Sequence, residues 1–153
     1  MQAMERLMAL IVFFALTATA ALFGAEFLPG DWYRALAKPV WTPPNAVFGP
    51  VWTVLYIMIA IAGWLIWQTG DRARVLPVWG IGLLLNALWS WLFFGRHLIG
   101  LALMDIVLIW TFIVAFIVLA WPRSRVASFL FMPYLAWVSL ATALNFSIWR
   151  LNG

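Results

Sequence analysis

Five apolar runs, each close to the length that crosses a bilayer, account for most of this chain: Leu7–Phe27, Ala46–Gln68, Val75–Phe94, Leu98–Trp121 and Val126–Trp149. A helix needs about 20 apolar residues to span the hydrocarbon core. Backbone groups find no water there, so each run must satisfy its own hydrogen bonds as a helix. Stop signals lie between the runs: Pro29 and Gly30, then Gly70–Asp71–Arg72 with Arg74, then Gly95–Arg96–His97, then Pro122–Arg123 with Arg125. Three of the four connections are short, which predicts sequential helices as antiparallel neighbours. The chain, 1–153, therefore reads as one all-α domain, an integral membrane bundle of five transmembrane helices with a long first loop at about 29–45.

The charge content agrees. Only 9% of residues are charged and 67% are hydrophobic, against about 25% charged in soluble domains. The first run is too long for the apolar core of a cleavable signal and reads as a retained helix; its Thr-Ala-Thr-Ala-Ala stretch keeps a signal anchor open. The net charge of +4 comes without a basic run, so lipid headgroups are the expected partner and nucleic acid is not. Arg6, Arg72, Arg74, Arg123 and Arg125 fall on one side of the bundle. Arg34, Lys38, Arg96 and Arg150 fall on the other. That balance is too even to orient the protein.

The segment Asp31–Tyr56 is the most unusual. It holds Pro39, Pro43, Pro44 and Pro50 among Trp32, Tyr33, Trp41, Phe48, Trp52 and Tyr56. Proline removes donors and restricts the preceding residue, so Lys38–Asn45 cannot be a continuous helix. The segment is either an interfacial connector with aromatic anchors or a lid over a cavity whose wall continues into the second run.

Polar groups inside the runs are few. Asn86 shares a helix face with Trp89, Ser90 and Phe93. It serves either an interhelical hydrogen bond or a polar ligand edge. Tyr134, Trp137, Ala141 and Asn145 share a face of the fifth run, and Phe48, Trp52 and Tyr56 recur every four residues in the second. These stripes are either packing or walls of a slot for a flat ligand. Pro133 frees a backbone carbonyl, and a kink is expected there. Asp105 is the one carboxylate well inside a run. It lies two turns from the helix start, where water or Arg96 is in reach, so a structural or interfacial role is favoured over ion coupling. Glu26 is expected to pair with Arg34 or Lys38, or to snorkel. Thr17, Ala21 and Ala25, and likewise Ser139, Ala143 and Ser147, have the spacing of close helix contacts. Gly80 and Gly82 serve packing or a dimer contact.

Much catalytic chemistry is excluded. There is no cysteine and only one histidine, His97, in a turn. A structural metal or bis-His haem site is hard to build from these, and no resident cofactor is expected. Phosphate loops, nucleophile triads and paired catalytic carboxylates are missing.

The motifs WYRALAKPVWTPP, FGPVWTVLY, LNALWSWLFFG and PYLAWVSLATALN, in this order, resemble the TspO/translocator protein family, the tryptophan-rich sensory proteins that include the peripheral benzodiazepine receptor. The resemblance covers nearly the whole chain, and twelve tryptophans agree with it. It implies a homodimeric five-helix protein of a bacterial cell-envelope membrane. It also implies a pocket for porphyrins of the protoporphyrin type, covered by the first loop, with sterols or benzodiazepine-like drugs as other family ligands. Carried onto this chain, the ligand-binding residues would be Tyr33, Trp52, Asn86, Trp89, Trp137 and Ala141. Trp52 and Trp137 would be the catalytic pair if the chain, like some bacterial members, degrades porphyrin in light. The family's sterol pattern is broken here: Leu144 and Arg150 are present, but Phe146 and Ser147 stand where Tyr is needed. The aromatic stripes suit a tetrapyrrole face, Arg34 or Lys38 could meet its carboxylates, and the lack of inward His or Cys favours a metal-free ring. Binding as sensor, carrier or scavenger, light-driven degradation, and secondary transport remain the three readings.

Overall fold

The computed structural model describes residues 2–153. Its helices are α1 (Gln2–Ala25), α2 (Asp31–Ala35), α3 (Asn45–Trp67), α4 (Leu76–Ser90), α5 (Ile99–Ala120) and α6 (Arg125–Asn152). A π-helical turn, Trp91–Gly95, continues α4. Counting α4 with that turn, five helices are long and apolar enough to cross a membrane, and no strand occurs among the described residues. The protein is a multi-pass integral membrane protein with an all-α fold. The first loop is not wholly irregular, because α2 forms a single turn ahead of the prolines.

The helices close into a ring: α1 packs on α3 and α4, α4 on α5, α5 on α6, and α6 back on α3. Sequential helices are neighbours for α4–α5 and α5–α6, as the short turns predict. For α3–α4 that expectation fails, since the pair touches only sparsely. A turn ties the helix ends, not their whole length. Here Trp79 of α4 donates through Nε1 to the Ile59 carbonyl of α3 at 2.9 Å, and Phe13 of α1 meets the Trp79 ring edge-on at 4.9 Å. The two rings wedge beside Gly63, where a Cβ would fall 2.7 Å from each. Much of the remaining packing rests on shape and dispersion, as lipid tails are as apolar as the side chains they replace. Phe116 and Phe131 stack at 3.8 Å between α5 and α6.

The two ends of the bundle are distinct. At one, the Trp64 indole donates to the Arg6 carbonyl, and Arg123 pairs with Asp71, joining the α3–α4 and α5–α6 turns. Arg72 covers Trp67 and Arg125 covers Trp121 there, the usual arrangement of anchors at a headgroup boundary. At the other, the first loop meets the last turn of α6 through Ala37 and Asn152. Residues 6 and 152 thus lie at opposite ends, as an odd number of crossings requires.

Some local expectations are corrected. Thr17 is buried, but Ser139 and Ala143 face outward. The inward face of α6 is instead set by Phe131, Tyr134, Val138 and Ile148, and Ser139 accepts from the exposed Trp110 of α5 at 2.9 Å. Gly82 packs on Phe112, while Gly80 faces open space. Glu26 forms no ion pair among the described residues, because Arg34 pairs with its neighbour Asp31.

Candidate ligand cavity under the first loop

A cavity of about 700 Å³ lies between α1, α3, α4 and α6, with the first loop over it. Ligand sites commonly have volumes of about 300–1,000 Å³. The lining is predominantly apolar and aromatic. Tyr33, Trp52, Asn86, Trp89, Trp137 and Ala141 all line it, so four separate elements of the chain meet there.

Five of these six side chains, all but Ala141, are positioned by an aromatic or hydrogen-bond contact. Tyr33 is 4% exposed and packs against Phe93 and Phe94 of the π-helical turn. Burial raises its phenol above the ordinary value. Trp52 sits one turn before Tyr56, with ring centres 5.6 Å apart. Trp89 lies nearly flat on Phe93 at 5.1 Å, and its Nε1 donates to Asn145 Oδ1 at 3.0 Å. Asn145 in turn donates to the Ile99 carbonyl at 3.1 Å. Phe48 stands edge-on to Trp137 at 5.4 Å.

Asn86 is 4% exposed and makes the interhelical contact that its position in lipid demands. Its Oδ1 accepts from the Tyr56 hydroxyl at 3.0 Å, and its Nδ2 donates to the Tyr134 hydroxyl at 2.6 Å. One amide thereby ties α3, α4 and α6 at the level of the cavity. Tyr134 and Asn145, on the same stripe as Trp137 and Ala141, do not line the cavity; they stand behind the wall and hold Asn86 and Trp89. Phe93 likewise supports Trp89 from outside it.

Among the described residues, two buried side-chain polar atoms lack a hydrogen-bond partner, Trp137 Nε1 and Asp105 Oδ2. Trp137 lines the cavity with other atoms of its ring, while its Nε1 is sealed within the surrounding packing. Asp105 is not in the wall. It is 5% exposed and forms no ion pair with Arg96 among the described residues. No cluster of metal-ligating side chains occurs among the described residues.

The loop is fastened at three points. Trp32 stacks on His97 with ring centres 3.9 Å apart and planes 10° from parallel. His97 reaches that position with a left-handed backbone, φ 58°, where the chain leaves the π-helical turn closed by Arg96 N–H to the Trp91 carbonyl at 2.8 Å. Lys38 Nζ donates to the carbonyls of Tyr33, Arg34 and Leu36 and lies 4.6 Å from the centre of the Tyr33 ring. It caps the open end of α2. Asn152 binds both backbone groups of Ala37. Lys38 and Arg34 are therefore engaged within the loop, and neither lines the cavity as a carboxylate partner.

Sequence reasoning missed the α1 wall. Thr17, Ala21, Gly24 and Ala25 line the cavity. The spacing of Thr17, Ala21 and Ala25 was visible, but it makes room for a space rather than for a helix along its whole length. At Gly24 the approach is close, and a Cβ would lie 3.2 Å from Ser90 Oγ. Ile106 and Ile109 of α5 close the cavity's back and carry no signal that separates them from ordinary core.

A five-helix membrane bundle with an aromatic cavity beneath a pinned loop defines the class of protein. The chain belongs to the TspO/MBR family, whose sequence profile matches residues 7–150. It is 39% identical to Protein CrtK of Rhodobacter capsulatus, covering 92% of this chain and 91% of that protein. It is 40% identical to Tryptophan-rich protein TspO of Chlorobaculum tepidum, covering 97% and 98%. Against the Translocator protein of Homo sapiens the identity is 36%, covering 84% and 81%.

Proposed function

We propose that this protein binds a porphyrin-type tetrapyrrole in the cavity under the first loop, as a sensor, carrier or scavenger, with Tyr33, Trp52, Asn86, Trp89, Trp137 and Ala141 as its contacts. The observation that carries the reading is the aromatic cavity of about 700 Å³. Its tryptophan and tyrosine rings offer stacking faces to a flat apolar ring. Family membership supports the same ligand class, and a homodimer is the assembly that goes with it. With the sterol pattern broken at Phe146–Ser147, a sterol is the weaker candidate.

A second reading, light-driven porphyrin degradation, is favoured by one feature: Trp52 and Trp137 both line the cavity, where an indole could give an electron to an excited ring. Secondary transport has less support, because Asp105 is not part of the wall. The test is a titration of purified protein with protoporphyrin in the dark, followed by illumination. A saturable shift of the absorption band is expected. No shift at micromolar protein overturns the binding reading, and bleaching to a defined product moves the assignment to the enzyme.

A further inference from the structure

The last turn of α6 reaches the loop through one side chain. Ala37 N–H donates to Asn152 Oδ1 at 3.0 Å, and Asn152 Nδ2 donates to the Ala37 carbonyl at 2.9 Å. The second Nδ2 proton goes to the Ile148 carbonyl at 2.7 Å, one turn back on α6. Every strong hydrogen-bonding position of the amide except one acceptor lone pair is thus filled. The bond to Ile148 also fixes the amide's orientation, since Nδ2 faces two carbonyls and Oδ1 faces an N–H. Asn152 therefore mimics a neighbouring strand, pairing both backbone groups of a loop residue that has no secondary structure of its own.

The placement of this pair matters. Ala37 follows α2, which carries the cavity residue Tyr33, and precedes the proline-rich stretch that leads into α3. The loop's other two fastenings act elsewhere: Trp32 rests on His97 ahead of Tyr33, and Lys38 binds only carbonyls of the loop itself. Asn152 is thus the one side chain that ties the loop's downstream half to the bundle by hydrogen bonds among the described residues. The pair is exposed to solvent, so water competes for it and the closure is reversible. A fully buried fastening would hold the loop shut.

We infer that Asn152 is the latch of the loop, a positioning residue that sets how often the cavity opens and so how fast a ligand enters and leaves. The rate claim rests on the ligand-binding reading above; the latch itself does not. Asn152→Asp is the sharpest variant, because it keeps shape and the acceptor while placing a carboxylate against the Ala37 and Ile148 carbonyls. Asn152→Ala removes the pair without adding charge, and Arg150→Ala serves as a control on the same helix end. Hydrogen exchange of the ligand-free protein reads the latch directly. Asn152→Ala loses both exposed hydrogen bonds to Ala37, and is expected to speed exchange across residues 36–42 about tenfold; Asn152→Asp keeps the acceptor but sets a carboxylate against the Ala37 carbonyl, and should speed it by a smaller factor, with α5 unchanged in both and Arg150→Ala like the parent. Unchanged exchange at Ala37, or an equal rise throughout the bundle, overturns the latch. Stopped-flow mixing with protoporphyrin then reads the rates: association and dissociation should both rise several-fold with little change in affinity. Unaltered rates in a variant whose loop exchanges faster overturn the gating role. Faster loop exchange in a protein that binds no protoporphyrin leaves the latch standing and removes the porphyrin reading instead.

Discussion

The Asn86 network offers the strictest test of how the cavity is held together. Tyr134→Phe deletes the hydroxyl that accepts from Asn86 Nδ2 at 2.6 Å and keeps the ring that packs on Phe131 at 5.5 Å. Interhelical hydrogen bonds in membranes are worth about 0.6 kcal/mol on average and up to about 1.7. This one is short and buried, which points to about 1 kcal/mol or slightly more. Asn86→Ala removes both of the amide's hydrogen bonds, strands the Tyr56 and Tyr134 hydroxyls and leaves a small void, for a total of about 2–3 kcal/mol. In the double variant the Asn86–Tyr134 bond is lost only once. The coupling between the two sites should therefore be about 1 kcal/mol. Reversible unfolding of all four proteins in detergent measures it. Tyr134 is not part of the cavity wall, so protoporphyrin affinity in the dark should change less than twofold in Tyr134→Phe. A coupling below about 0.3 kcal/mol, within the usual scatter of additivity, would show that the amide does not bind these helices together. Asn86 would then have to be read as a ligand contact alone.

Other outcomes follow from particular residues. Trp137→Phe and Trp52→Phe should each weaken protoporphyrin binding by about 1 kcal/mol or less and lower any light-driven bleaching much further, while Trp121→Phe, at a helix end, should alter neither; equal effects of all three would indicate general destabilisation. Gly63→Ala puts a Cβ 2.7 Å from the Phe13 and Trp79 rings and should destabilise the fold by about 1–3 kcal/mol, whereas Gly80→Ala, in open space, should be neutral in the same unfolding assay. Burial raises the Tyr33 phenol, so the undocked loop ionises first as pH passes about 10. The docked loop is fully favoured below that value and loses stability above it, so proteolytic nicking of residues 31–42 should accelerate there in the parent protein and lose that dependence in Tyr33→Phe.

Much of this protein was legible in its sequence because a bilayer imposes rules that need no partner. Segment length and the demand for internal hydrogen bonding identify helices one at a time, and the five runs match α1, α3, α4 with its π-helical turn, α5 and α6 to within a few residues at most ends; the first begins earlier, at Gln2. The aromatic stripes were equally visible, because helical periodicity puts Phe48, Trp52 and Tyr56 on one face whatever lies opposite. What faces what was not visible. Asn145 and Trp137 stand on one stripe of α6, yet Asn145 supports Trp89 from behind while Trp137 lines the space. A one-dimensional period cannot distinguish these roles, since the helices meet at angles and only part of a stripe meets each neighbour. Lys38 and Arg34 read as free cations near a ligand, but the open carbonyls of α2 and the adjacent Asp31 claim them. Asn152 gave no signal at all. Its two bonds to Ala37 span 115 positions of sequence, and a contact of that separation exists only once the loop has folded back over the bundle and brought the far end of α6 beside it.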